Sequence, residues 1–312
     1  MSATPTNSQK NPSRRVVVVS GATGLIGSAL VTHLRQQGHT VRRLVRRQRG
    51  ERPGEIPWDP ERGTLDARAI EGCDAIVHLA GAPISQRWTA SHKHAIRESR
   101  VRGTATMARA VAEMESKPRV VLSGSAMGFY GDRGDELLDE NSSAGSGFLA
   151  SVVRDWEAAA APIATLGVRL VLLRTGLVLS PDGGALAKLL PPFKLGAGGP
   201  MGGGKQWMSW ISLADHVRAM EYAIVTDGVH GPVNLASPAP VTNETFAHVL
   251  GRVLSRPAII PLPAFALELM FGEMARETIL AGQRLTPRAL TTAGFRFEHP
   301  DLEPALRDLL AH

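Results

Sequence analysis

The chain has 312 residues, enough for one large α/β unit or a large unit and a small one. Hydrophobic residues make up 43% and charged residues 21%, ordinary values for a globular protein, and no apolar run is long enough to span a bilayer. The net charge of +6 comes mostly from arginines that are dispersed apart from one cluster at Arg42–Arg52, which argues against a nucleic-acid surface.

The single cysteine, Cys73, excludes an intrachain disulfide and a multi-cysteine metal cage, and it suits a reducing, cytoplasmic location. The first residues, MSATPTNSQKNPSRR, are polar and lack an apolar signal core, so a disordered leader is expected over 1–14.

From Arg14 a strand–helix alternation is legible. RRVVVVSG is a short β-branched run of the kind found in buried parallel strands, and Gly21 ends it. LIGSALVTHLRQQG has helical apolar spacing with Gly38 as its stop. HTVRRLVR and CDAIVHLAG read as strands. A long helix is predicted over 89–114, capped by Thr89. Then follow the strand RVVLSGSA, a helix over 148–166, and VRLVLLRTGLVL as one more strand.

After Ser180 the texture changes. The stretch from Pro181 to Trp210 is rich in Gly and Pro and reads as a mobile loop or lobe over a ligand. ISLADHVRAMEYAI returns to strand-then-helix, with Asp215 placed as the cap, and GPVNLAS reads as a last strand. The expected fold class is α/β, a Rossmann-type doubly wound parallel sheet with a smaller C-terminal substrate lobe. The nucleotide-binding unit is expected over 15–180 plus about 209–240, and the lobe over about 181–208 and 241–312.

Gly21, Gly24 and Gly27 stand three apart between the first strand and the first helix. Gly21 permits the tight turn, Gly24 lets backbone approach a pyrophosphate, and Gly27 lets helix and strand pack closely. Thr23, Leu25 and Ile26 complete a turn whose helix N-terminus offers unpaired N–H groups to phosphate. An NAD site normally places an acid about twenty residues on, for the ribose 2′-OH. There is no Asp or Glu between Gly21 and Glu51, and the second strand ends instead at Arg46 and Arg47. A guanidinium can pair with a 2′-phosphate but cannot accept from a 2′-OH, so the expected cofactor is NADP(H).

SGATGLIGSALV, DAIVHLAG, SAMGFYG and WISLADHV together resemble the extended short-chain dehydrogenase/reductase superfamily, which includes nucleotide-sugar epimerases and dehydratases. GFLASVVRDWEAAA, LRTGLVLSPDGGAL and PFKLGAGGPMGGGKQWMSWI resemble an atypical branch of it labelled NAD(P)-dependent epimerase. The tail PLPAFALELMFGEMARETILAGQRLTPRALTTAGF resembles that branch's C-terminal domain of unknown function. The resemblance implies cofactor contacts at His78, Leu79, Ala80 and Gly81, and also at Ser123 and Leu177. It implies that Arg100 stands where the superfamily carries an Asn near the nicotinamide, and that Ser123 or Ser125 stands in the region of its catalytic Ser/Thr.

The superfamily's acid/base pair, Tyr followed four residues later by Lys, is missing. Tyr130 is followed by Gly-Asp-Arg-Gly, and Tyr222 is followed four on by Thr226. In GFLASVVRDWE, Phe148 or Ser151 falls near the tyrosine position and Val152 or Asp155 near the lysine, and no register restores the pair. The remaining catalytic candidates are Ser125, to polarise a carbonyl, and Tyr130, as an acid. Glu157 and Asp155 are the carboxylates on that helix. His92 and His94 lack an obvious third ligand, so no metal is expected.

Two readings stand ahead of a nucleic-acid regulator. One is an NADP(H)-dependent oxidoreductase or epimerase with a non-standard acid/base, whose lobe around Lys205, Gln206 and Trp207 closes on a small-molecule substrate, an anionic one being suited by Arg100. The other is a catalytically silent NADP(H) sensor or scaffold. The expected partners are that small molecule, with no nucleic acid and no membrane, and the expected state is a monomer or homodimer.

Overall fold

The computed structural model describes residues 14–46 and 52–311. The expected leader, up to residue 13, and Arg47 lie outside the described residues.

Eight strands form the main sheet. They are β1 (Val16–Ser20), β2 (Thr40–Val45), β3 (Glu55–Asp59), β4 (Thr64–Leu65), β5 (Ala75–His78), β6 (Val120–Ala126), β8 (Arg169–Thr175) and β12 (Gly231–Leu235). Their order is β12-β8-β6-β5-β1-β2-β3-β4, parallel throughout except for the β3–β4 pair. The crossovers reverse direction at β1, so the crevice past the ends of β1 and β5 is the topological switch point, where such sheets bind ligands.

Helices cover both faces. α1 (Leu25–Gln36) and α6 (Leu213–Val225) bury Leu30, Leu34, Met220 and Ile224 on one side. On the other, α2 (Ala67–Ile70) and α3 (Ala90–Glu113) bury Ile70, Met107 and Val111. α3 begins at Thr89, whose hydroxyl accepts from His92 N. α4 (Phe148–Ala160) packs against α3 and then tightens into a 3₁₀ turn, Ala161–Leu166, where Pro162 removes a helical donor.

Three expectations change. VRLVLLRTGLVL is broken at Gly176, where a Cβ would lie 2.5 Å from the Ser209 carbonyl oxygen. β9 (Leu177–Ser180) therefore leaves the main sheet and pairs in parallel with β11 (Trp210–Ser212). The Gly/Pro-rich stretch is not a bare loop: α5 (Gly184–Lys194) runs through it and buries Leu186, Leu190 and Phe193 on one face. Asp215 does not cap α6. Ser212 does, accepting from Asp215 N, while the buried Asp215 carboxylate receives the amides of Glu298 and His299.

The C-terminal part contains α7 (Asn243–Val253), α8 (Ala264–Phe271), α9 (Arg288–Thr292) and α10 (Leu302–Leu309). Short pairs link it to the rest: β7 (Leu137–Leu138) with β14 (Arg284–Leu285), and β10 (Trp207–Met208) with β13 (Val241–Thr242). α5, α7 and α10 share a core of Phe193, Phe246, Leu250 and Leu306. Leu290 of α9 and Phe295 pack instead into the sheet-side core with α6.

Candidate functional site

The β1–α1 turn has the geometry of a phosphate cradle. Gly21 has φ +67°, and a Cβ there would sit 2.8 Å from the Leu79 carbonyl carbon. A Cβ on Gly27 would sit 2.2 Å from Gly21 O, so helix and turn touch backbone to backbone. A Cβ on Gly24 would meet only Gly21 O, at 3.5 Å, leaving its outer side open to a ligand. α1 has no side-chain cap and no acid in its first turn, so its N-terminal N–H groups face the crevice without a built-in anion. Thr23 and Gly24 are exposed at the rim, with Leu25 and Ile26 half-buried behind them.

Ser20, not singled out from the sequence, ties this turn to the end of β5. Its hydroxyl accepts from Leu79 N at 3.1 Å and Ala80 N at 3.3 Å, and lies 2.7 Å from His78 Nδ1. With both amides donating to it, the hydroxyl donates to Nδ1, so the neutral ring carries its proton on Nε2. Burial pulls the His78 pKa down to about 4. The ring lies edge-on to Trp58, inside the protein, so His78 acts on the crevice through its backbone.

At one end of the crevice, Arg46 follows β2 and is exposed. Glu55, on the neighbouring β3, is held by Arg43 Nη2 at 2.7 Å. At the other end, Arg100 packs on Gly81, whose Cβ would lie 3.3 Å from the guanidinium carbon. Its Nη1 donates to Ala82 O and Ile96 O, and its guanidinium lies 5.1 Å from the Trp156 ring. Among the described residues no carboxylate pairs with it, and burial lowers its pKa to about 10.

The catalytic candidates meet in one network. Ser125 Oγ donates to Glu157 Oε1 at 2.6 Å, and Arg174 holds the same carboxylate from Nε at 2.9 Å and Nη2 at 3.0 Å. Arg174 Nη1 also donates to Tyr130 Oη at 3.0 Å, and Tyr130 Oη donates to Asn234 Oδ1 at 2.7 Å. Tyr130 is 0% exposed, and burial raises its pKa against the opposing pull of Arg174. Its hydroxyl is used both as donor and as acceptor, so the geometry gives it a bracing role and argues against Tyr130 as an acid facing a substrate. Ser123 is buried, and its hydroxyl makes a long contact to Gly124 O at 3.5 Å.

Toward the end of β6, α4 turns Glu157, which Ser125 Oγ reaches, and Trp156, which covers Gly124, while Leu149 and Val153 lie against Gly128 just beyond the strand. Of the registers weighed from the sequence, Phe148 and Val152 pack into a cluster with Trp88, Ile96 and Met274, and Ser151 Oγ donates to Phe148 O. Asp155 pairs with Arg97 at the surface. The N-terminus of α4 is capped from far along the chain: Glu277 accepts from Phe148 N and Leu149 N, each at 2.7 Å. Gly147, with φ +102°, leaves room for that carboxylate. Nothing local in GFLASVV signals this cap.

A sequence profile described as "NAD dependent epimerase/dehydratase family" matches residues 17–236, and one described as "Domain of unknown function (DUF1731)" matches residues 262–309. The chain belongs to the NAD dependent epimerase/dehydratase family. "Epimerase family protein Mb2239" of Mycobacterium bovis is 46% identical over 292 residues, covering 93% of this chain and 96% of that protein. "Epimerase family protein SDR39U1" of Homo sapiens is 36% identical over 299 residues, covering 95% and 99%. The crystal structure of the human SDR39U1 protein (isoform2) with NADPH superposes with a TM-score of 0.87 at 33% identity, covering 95% of this chain and 99% of that one. A nucleoside-diphosphate sugar epimerase from Corynebacterium glutamicum superposes with a TM-score of 0.77 at 38% identity, covering 96% of this chain and 59% of that one.

The family model is described as NAD dependent, and the β1–α1 turn lies within the residues that it matches. Among the described residues, no three His, Cys, Asp or Glu side chains are arranged to hold a metal ion.

Proposed function

We propose that this protein binds NADP(H) in the β1–α1 crevice and uses it to oxidise, reduce or epimerise a small carbonyl- or sugar-type substrate without a Tyr-x-x-x-Lys pair. The observation that carries this reading is the uncapped α1 N-terminus at a turn open at Thr23 and Gly24, followed by Arg46 where an acid would select NAD. The NADPH-bound human relative supports it.

In this reading Gly21, Thr23, Gly24, Leu25, Ile26 and Gly27 hold the diphosphate, and Arg46 with Arg47 holds the 2′-phosphate. His78, Leu79, Ala80 and Gly81 form the floor through backbone atoms, with Ser123 beneath and Leu177 at the far wall. When bound, the dinucleotide supplies or takes up a hydride. Arg100, lacking a carboxylate partner, attracts a cofactor phosphate or an anionic substrate.

Ser125 Oγ donates its hydrogen bond to the Glu157 carboxylate, so toward a ligand it can only accept a hydrogen bond. That suits holding a substrate hydroxyl better than polarising a bare carbonyl. Cys73 is buried, its thiol pushed up to about 12, which makes it an unreactive cysteine.

One observation favours a second reading, an NADP(H) sensor without chemistry: Tyr130 is locked between Arg174 and Asn234. The deciding experiment uses NADPH deuterated on one face at C4, incubated with a panel of aldehydes, ketones and sugar nucleotides. Enzyme-dependent, stereospecific label transfer is expected. Tight NADPH binding with no transfer across the panel would leave only the sensor.

A further inference from the structure

Among the described residues, Arg100 is a firmly held cation that has no carboxylate. It lies on Gly81 at the end of β5, its guanidinium carbon 3.3 Å from where a Cβ would stand. Its Nη1 is committed to backbone, donating to Ala82 O at 3.1 Å and Ile96 O at 3.0 Å. Ser99 grips the same loop beside it, accepting from Ala82 N at 2.9 Å and donating to Ile96 O at 3.2 Å. Trp156 backs the guanidinium at 5.1 Å and is itself pinned through Nε1 to Thr104 Oγ1 at 2.9 Å. The head group is thus fixed in advance, and little side-chain freedom is left to lose on binding a ligand.

One edge of it is unused. Nε and Nη2 have no partner among the described residues, and neither is shut away from solvent. These two N–H groups point in parallel and match the two oxygens of a carboxylate. Elsewhere the chain uses the same pair in that way: Arg174 holds Glu157 with Nε and Nη2, and Arg133 holds Glu136 with Nε and Nη2. Around Arg100 the acids are committed to other groups. Between Asp74 and Glu113 the only acid is Glu98, which lies 3.4 Å from Arg102. On α4, Asp155 pairs with Arg97 and Glu157 with Arg174. On the C-terminal segment packed against α3 and α4, Glu273 pairs with Lys93 and Glu277 caps α4. Burial lowers the Arg100 pKa to about 10, with no charged neighbour opposing it. A cation desolvated without a counter-charge costs stability, and an arriving anion relieves that cost.

We propose that the free Nε/Nη2 edge of Arg100 takes a carboxylate group of the substrate, which makes the substrate a carboxylate-bearing carbonyl or hydroxy compound. This rests on the NADP(H) reading above, in which the crevice past β1 and β5 is the reaction centre. Position favours substrate over cofactor. The sheet order runs β6-β5-β1-β2, and in that reading the cofactor phosphates lie at the β1–α1 turn and after β2. Arg100 stands toward β6 instead, against the Trp156 ring that covers Gly124.

The test is an NMR titration of the full chain, with and without NADPH. Sodium acetate is the probe, and sodium chloride at equal ionic strength is the control. The readouts are the arginine Nε–H signals and the backbone amides of Gly81 and Ala82. The Arg100 Nε–H signal, identified by its loss in Arg100→Lys, is expected to shift saturably with acetate and not with chloride. Arg100→Lys keeps the charge and loses the paired donors. It is expected to bind acetate about tenfold more weakly, read from the two amides, with thermal unfolding as the folding control. The wild-type titration stands without the variant. Absence of a saturable shift in the wild type overturns the proposal, as does equal acetate affinity in Arg100→Lys. Displacement of acetate by NADPH, together with a tenfold loss of NADPH affinity in Arg100→Lys, assigns the edge to a cofactor phosphate and also overturns it. Acetate binding at Arg100 in a protein that does not take NADPH supports the anion site and contradicts the nucleotide reading alone.

Discussion

At the scale of single residues, the glycines of the β1–α1 turn do different jobs, and substitution separates them. Gly27→Ala would drive a Cβ to 2.2 Å from Gly21 O and should prevent normal folding. Gly24→Ala would meet only one atom at 3.5 Å, so it should fold with wild-type stability and lose NADPH binding by about tenfold or more, measured by calorimetry. Tyr130→Phe discriminates a brace from an acid. It removes the partner of Arg174 Nη1 and Asn234 Oδ1, so urea unfolding should show a loss of about 1–3 kcal/mol while turnover of any substrate found changes little. A large fall in kcat at unchanged stability would restore Tyr130 as the acid. The turn was legible because each glycine answers a local steric demand. The burial of Tyr130 was not, because Arg174 and Asn234 lie 44 and 104 residues further along the chain.

At the scale of elements, periodicity located those that are amphipathic and locally capped. β1, α1 and β6 follow from runs of apolar residues, and Thr89 announces α3. α5 was missed because Gly183, Gly184, Pro191 and Pro192 carry the signs of a loop. Burial of Leu186, Leu190 and Phe193 at i, i+4 and i+7 outweighs them. β3 and β4 were too short and too polar to read. The register of α4 was illegible for another reason: it is set by the packing of Leu149 and Val153 on Gly128, by the Ser125–Glu157 contact and by a cap borrowed from Glu277. Glu277→Ala should destabilise the protein by about 1–2 kcal/mol, the ordinary cost of an N-cap, with most of it recovered in Glu277→Gln; thermal unfolding measures both. No loss in the alanine variant would show that α4 does not depend on the C-terminal domain.

At the scale of the whole molecule, the sequence carried the Rossmann-type architecture and the family, because strand–helix alternation and the glycine turn are local signals repeated along the chain. Its response to acid follows from two buried histidines. Burial pulls His78 down to about 4 and His216 to about 3, from 6.5. Below pH 6.5 the unfolded chain binds protons at these rings and the folded chain does not. Their share of stability is thus present above 6.5 and lost as pH falls toward 3–4. Urea unfolding at pH 5 should give a stability about 2–4 kcal/mol below that at pH 7. A flat profile would mean that the rings titrate inside the fold.

The central claim is that this crevice selects the 2′-phosphorylated dinucleotide through guanidinium groups after β2. Calorimetric titration of the purified protein with NADPH and with NADH tests it directly, repeated on Arg46→Ala. NADPH should bind at least about tenfold more tightly than NADH, and the substitution should erase most of that difference while leaving NADH unchanged. Equal affinities of the wild type for the two nucleotides would contradict the account.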